Sequence, residues 1–220
     1  MQKIRLMPTA KIYAGPITNL TDARYFAAWG VTWLSFNLSP DEEDFLAPNQ
    51  IQAIKEWVEG PAMVGEFNLH DANEIQKLTV DLQLDAIRLG SDTTLETLLQ
   101  LDTDLPVLKV IKVSPQHSSD QLEDVLSDFA AHVSHFILDF TSEDWNLEML
   151  QYAPDLDWER LLSIGQQFPI IFNLGFSPAD TLALIENKEA ISIQLTGGAE
   201  EKVGYKSFDE LDEIFEALEE

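Results

Sequence analysis

What most constrains the fold of this chain is a rhythm. A short apolar run bounded by turn residues is followed by a helical stretch, and the pair recurs along almost the whole length. Runs that read as strands are Ala10–Gly15, Val31–Asn37, Ala62–Phe67, Ala86–Leu89, Pro106–Val113, Phe136–Phe140, Pro169–Leu174 and Ala190–Leu195. Between them, helices are predicted to end at Ala28 (behind cap residues Thr18 to Asp22) and to cover Pro48–Glu59, Asp71–Leu82, Thr93–Gln100, Asp120–Ala131, Trp158–Gln167 and Pro178–Asn187, with Phe208–Leu218 closing the chain. Eight strands alternating with eight helices over short connections is the organisation of a (β/α)₈ barrel, an α/β fold. An open doubly wound sheet uses the same alternation but carries a glycine-rich phosphate loop after its first strand, which Gly15 alone does not make. The expectation is a short N-terminal leader over residues 1–9 and a single barrel domain over 10–220.

Composition narrows the function. At 220 residues and 45% hydrophobic content the chain buries one sizeable core. Thirteen basic against 39 acidic residues give a formal charge of −26, which repels nucleic acid and anionic lipid, so neither is expected as a partner. Any anionic ligand needs a local positive site. Without cysteine there is no disulfide, thiolate metal site or thiol catalysis. His70, His117, His132 and His135 lack metal spacing, so no metal and no cofactor are expected. The start lacks the apolar core of a signal peptide, and no run of about 18 apolar residues occurs, which makes a cytoplasmic location the expectation.

Within the barrel reading, Phe136-Ile137-Leu138-Asp139-Phe140 is a buried strand that delivers a carboxylate to its C-terminal end, where this fold carries its chemistry. Asp139 is either that functional acid or a solvated strand-end residue. Tyr13, Asn37, Glu66, Arg88, Asn173 and Gln194 stand at comparable strand ends, and alternation sends about half of such side chains into the barrel. Glu66 and Arg88 are charged residues inside apolar strands. They form either a structural ion pair or part of a site. Leu174-Gly175-Phe176-Ser177 and Thr196-Gly197-Gly198-Ala199 follow the last two strands, and such turns bind phosphate through backbone N–H groups and a helix N-terminus. Lys202 and Lys206 would add positive charge there.

The order of these motifs resembles the phosphoribosylanthranilate isomerase family over about Lys11 to Leu218. Lys11-Ile12 with Gly15 and Ile17-Thr18-Asn19 is similar to the family's K-x-C-G-x-T-N, and Val64-Gly65 with Phe67 to its V-G-V-F. Asp85 to Gly90 is similar to A-V-Q-L-H-G, Val107-Leu108-Lys109-Val110 to V-I-K-A, Ile137-Leu138-Asp139 to L-L-D, and Asp157-Trp158 to F-D-W. Gly175 with Pro178 resembles G-G-L-N-P-E; Gly198, Glu200, Gly204 and Lys206 resemble G-V-E and G-x-K-D.

The resemblance implies an Amadori rearrangement in tryptophan biosynthesis, in which an Asp acts as general acid and a Cys as general base on a small phosphorylated sugar. Asp139 inherits the acid role, for which apolar neighbours Phe136, Ile137, Leu138 and Phe140 could help a carboxyl hold its proton. The base position falls on Tyr13 or Ala14. Tyr13 would serve if Arg88 depressed its phenol, and Glu66 or His70 could deputise. Arg88, Gly175, Phe176, Ser177, Thr196, Gly197 and Gly198 are the candidates for holding substrate and phosphate. Ser39 to Asp44 carries acids where the family has its carboxylate-binding arginine, Leu174 replaces a glycine, and the histidine after strand four is missing. An isomerase of altered or lost activity, as monomer or homodimer, is therefore expected; the alternative is an inactive barrel that binds a ligand or protein.

Overall fold

Every helix start needs acceptors for its free N–H groups, and the sequence supplies them. Asn19, Asp71, Thr94, Ser118, Asn146 and Asp157 each accept a backbone N–H in the first turn of the helix that follows. The helices are α1 (Leu20–Ala28), α2 (Pro48–Lys55), α3 (Ala72–Asp81), α4 (Leu95–Leu99), α5 (Ser119–Phe129), α6 (Leu147–Tyr152), α7 (Trp158–Gly165), α8 (Pro178–Ile185) and α9 (Asp209–Glu219). The computed structural model describes residues 11–68, 71–141, 145–185, 191–197, 200–202 and 205–219. The leader therefore lies outside the described residues.

The strands are β1 (Ile12–Ala14), β2 (Trp33–Asn37), β3 (Ala62–Phe67), β4 (Ala86–Leu89), β5 (Val107–Lys112), β6 (His135–Asp139), β7 (Ile170–Asn173) and β8 (Ile193–Leu195). They run parallel in sequence order and close into a barrel through β8 and β1. The predicted (β/α)₈ barrel is what forms. Two elements differ from the sequence reading. The polar stretch after β6 holds the short helix α6, started by the Asn146 side chain. A hairpin of β9 (Glu200–Lys202) and β10 (Tyr205–Lys206) is inserted after β8.

Alternation divides the core in two. Leu34, Phe36, Phe67, Leu89, Phe136 and Leu138 face the helices. Tyr13, Trp33, Val64, Leu108, Ile137 and Ile171 fill the barrel interior. That parity also sends Glu66 inward two residues after Val64, Arg88 two after Ala86, and Asp139 two after Ile137.

Lys11, Trp33 and His135 close the N-terminal mouth. The Lys11 ammonium lies 3.2 Å from His135 Nε2 and 5.6 Å from the centre of the Trp33 ring, which meets His135 edge-on. The imidazole accepts from the ammonium, so it is neutral. Burial, and then the Lys11 charge, push its pKa down to about 4. An unfolded histidine titrates near 6.5, so between about pH 6.5 and 4 the unfolded chain takes a proton that the folded one refuses. The stability provided by neutral His135 is complete above that range and lost as pH falls through it. In urea unfolding, His135→Gln should therefore be less stable than the parent at pH 7, with the gap narrowing toward pH 4.5. A gap independent of pH would refute this.

Candidate active site

A cavity of about 780 Å³ opens at the C-terminal end of the strands. Six of the seven polar residues expected at strand ends line it: Asn37, Glu66, Arg88, Asp139, Asn173 and Gln194. Tyr13 is the exception and lies fully buried below.

The floor is one hydrogen-bonded unit. Glu66 and Arg88 are register partners across β3 and β4, and Arg88 Nη1 donates to Glu66 Oε2 at 2.5 Å. Tyr13 Oη donates to the other oxygen, Glu66 Oε1, at 3.0 Å. Both side chains of the ion pair are nearly inaccessible, at 3% for Glu66 and 11% for Arg88. A charge so placed has to be paired. The expectation that Arg88 would depress the phenol is overturned: burial comes first and the Glu66 charge second, and together they outweigh Arg88 and hold the Tyr13 pKa well above its ordinary value. Tyr13 is a hydrogen-bond donor to Glu66 here. Glu66 accepts one donor on each oxygen, from Tyr13 and from Arg88. Its ion pair keeps Arg88 charged, because the attraction of Glu66, with smaller contributions from Tyr13, Asp139 and Glu42, overcomes the desolvation of the guanidinium.

Asp139 is set differently. Its Oδ1 accepts from Thr141 N at 3.0 Å, from Thr141 Oγ1 at 2.7 Å and from Asn173 Nδ2 at 3.2 Å. The apolar setting expected for it is not what surrounds it, because Phe136, Leu138 and Phe140 pack toward the helices. Donors fix one oxygen and leave the other edge of the carboxylate to the cavity. Register places Lys112 beside Asp139 on one flank and Asn173 on the other, and all three line the cavity. Lys112 is a site residue that the sequence reading passed over. It shares the parity of Leu108 and Val110, and this alternation was the available signal.

At the far rim, the loop after β2 folds Glu42 back over the strand ends. Asn37 Nδ2 donates to its Oε2 at 2.7 Å and Asn68 Nδ2 to its Oε1 at 2.6 Å. Behind β5, the buried Lys109 ammonium donates to Gly90 O and Ser91 O at 2.5 and 2.9 Å and so holds the loop after β4. Its pKa is pushed down to about 8 by burial, with Asp92 acting the other way.

The two glycine turns open onto the same cavity through Gly175, Phe176, Thr196 and Gly197. Gly175 has φ +63° and its backbone lies against Thr141, so a side chain there would be strained and would collide. Gly197 sits against the buried carboxylate of Asp22, leaving no room for a β-carbon. Ser177 caps α8, accepting from Asp180 N at 3.2 Å and donating to Asp180 Oδ2 at 2.8 Å. Gly198, His70 and the side chains of Lys202 and Lys206 lie outside the described residues. Described lining carboxylates are Glu42, Asp44, Glu66, Asp92, Asp139 and Glu210, against the cations Arg88 and Lys112.

Breaking the floor pair on one side should be costly. Glu66→Ala strands a buried guanidinium and should lower stability by about 3–5 kcal/mol in denaturant unfolding, whereas Glu66→Val with Arg88→Leu should recover most of the loss. A double variant no more stable than Glu66→Ala would show that the pair is not the cause.

The family model described as N-(5'phosphoribosyl)anthranilate (PRA) isomerase matches residues 16–217. N-(5'-phosphoribosyl)anthranilate isomerase of Trichormus variabilis is 25% identical over 203 residues, which cover 92% of this chain and 95% of the relative. Phosphoribosyl anthranilate isomerase of Thermotoga maritima superposes with a TM-score of 0.75 at 19% identity, over 96% of this chain and 98% of that one. A phosphoribosyl anthranilate isomerase in complex with reduced 1-(o-carboxyphenylamino)-1-deoxyribulose 5-phosphate gives 0.74 at 19% identity, with the same two coverages of 96% and 98%. With the barrel, the strand-six acid and the turns after β7 and β8 in the family's order, this chain belongs to the phosphoribosylanthranilate isomerase family, a family of isomerases.

Proposed function

We propose that this protein catalyses the family's type of reaction, the conversion of a phosphoribosyl amine to a 1-amino-1-deoxyribulose phosphate, with Asp139 as the proton-transfer group. The observation that carries this is the single carboxylate at the end of β6, anchored on one oxygen by Thr141 and Asn173 and open to the cavity on its other edge. In this reading the Asp139 carboxyl gives its proton to the ribose ring oxygen. The C1–O bond breaks as the nitrogen lone pair forms C=N. A proton then leaves C2, and its electron pair becomes the double bond of an enolamine that tautomerises to the ketone.

Tyr13 and Glu66, the expected bases, are committed to each other. We therefore assign the C2 proton to the carboxylate that ring opening leaves on Asp139, so that one group serves as acid and then as base. The phosphate is assigned to Phe176-Ser177 and Thr196-Gly197, because Phe176, Thr196 and Gly197 line the cavity and α8 begins at Pro178; Gly198 is assigned with them from the sequence. Arg88, with Glu66, forms the floor under the sugar.

Turnover of a panel of 5-phosphoribosyl amines, built on anthranilate, on aniline and on 3-aminobenzamidine, tests the reading. At least one should rearrange. Asp139→Asn should lose about 10²–10⁴-fold in kcat, while Tyr13→Phe should stay within about tenfold of the parent. No turnover of any member would replace the isomerase with a ligand-binding barrel, whereas full activity in Asp139→Asn would remove Asp139 as the proton-transfer group. Crystals soaked in millimolar phosphate should show density between the two turns; an empty site there, or an anion at Arg88 instead, would remove the phosphate assignment.

A further inference from the structure

The β2–β4 side of the cavity has a charge that bears on the identity of the substrate. Glu42 is not a loose loop acid, since each of its oxygens takes one amide hydrogen, from Asn37 and from Asn68. Asn37 is 3% exposed, and its own oxygen accepts Ser39 N at 2.9 Å, so its amide can turn only its NH₂ toward Glu42. Asn68 N points back to Ser39 Oγ at 3.4 Å. The carboxylate is thereby oriented, and each oxygen keeps a lone pair for a further donor.

Among the described residues, the cations at this side are Arg88 and Lys109, and both are engaged. Arg88 feels the Glu42 charge, but its guanidinium is bound to Glu66, and the unit of Tyr13, Glu66 and Arg88 is neutral as a whole. Asp44 lines the same side and adds to the negative potential, while Asp92, also in the lining, is set against the Lys109 ammonium. A second observation is independent of these acids. Gln194 is 92% buried and lines the cavity; its Nε2 is used on Gly15 O at 3.2 Å, and its Oε1 has no partner among the described residues. An acceptor left open in the cavity wall can take a donor from a ligand or from water.

We propose that Glu42 is a specificity-determining residue which makes this side of the cavity a subsite for a positively charged, hydrogen-bond-donating group, an amidinium or primary ammonium, on the amine half of the substrate. A carboxylate at that place would meet Glu42 and Asp44, with Arg88 paired to Glu66 and Lys112 set beside Asp139. The inference rests on the isomerase reading for the word substrate, but the subsite stands or falls by binding alone.

Benzamidine and benzoate, equal in shape and opposite in charge, are the probes. In calorimetric titration of the whole protein, benzamidine should bind, Glu42→Gln should weaken it at least tenfold, and benzoate should give no heat. Glu216→Gln, which removes a charge from α9 away from the cavity lining, should leave benzamidine affinity unchanged. Equal weakening by Glu42→Gln and Glu216→Gln would reduce the effect to net charge and overturn the proposal. So would benzoate binding as well as benzamidine, or indifference of benzamidine to Glu42→Gln. Among the phosphoribosyl amines, the amidine should be turned over faster than the anthranilate, and Glu42→Gln should narrow that ratio through KM. Benzamidine binding with no turnover of any member would sink the isomerase and spare the subsite; turnover with the anthranilate preferred would do the reverse.

Discussion

A carboxylate and a guanidinium have been placed inside a barrel whose neighbouring interior positions are Val64, Ala86, Leu108 and Ile137. Neither charge is tolerable there alone, so the contact of Glu66 with Arg88 is a condition of the interior as built. The tie extends further. Glu66 has one oxygen left after Arg88, and the Tyr13 phenol fills it. β1, β3 and β4 are thus joined inside the barrel by one charged centre.

That commitment decides how the cavity above behaves. Arg88 would be the natural receptor for an anion, yet its charge is already balanced. What remains are carboxylates held in fixed directions: Asp139 by Thr141 and Asn173, Glu42 by Asn37 and Asn68. Fixed carboxylates differ from mobile surface acids because their orientation is settled before a ligand arrives. The cavity accordingly has one oriented carboxylate on its β6 wall and another on its β2 rim, with the paired Glu66 and Arg88 between them.

The fold was legible because its signals are local and redundant. Apolar runs, helix caps such as Asn19 and Asp157, and breaks at Gly30 and at Gly60-Pro61 all point to the same alternation. Asp139 was legible for the same reason, as a polar residue closing an apolar strand. Helix α6 was not, since its six residues, Leu147 to Tyr152, lie in a stretch of polar and apolar residues too short to show a period. The chemistry of Tyr13 was not legible either. Whether a phenol beside an arginine gains or loses acidity depends on whether a carboxylate lies nearer, and Glu66 is 53 residues away in sequence. The same limit applies to Glu42, which reads as one acid in an acidic loop until Asn37 and Asn68 are seen to converge on it.

Membership of a family and retention of its site are carried by different surfaces of the same strands. Leu34, Phe36, Leu89 and Leu138 face outward and pack the helices, and their pattern can persist at 25% identity because any well-filled apolar layer preserves the barrel. Glu66, Arg88, Asp139 and Lys112 alternate with them and face inward at the strand ends, where a change alters the ligand and leaves the architecture alone. Period-two alternation lets the two sets vary independently along one strand. A chain can therefore match its family over residues 16–217 and still present a carboxylate where its resemblance implies an arginine. The substrate has to be read from the inward set.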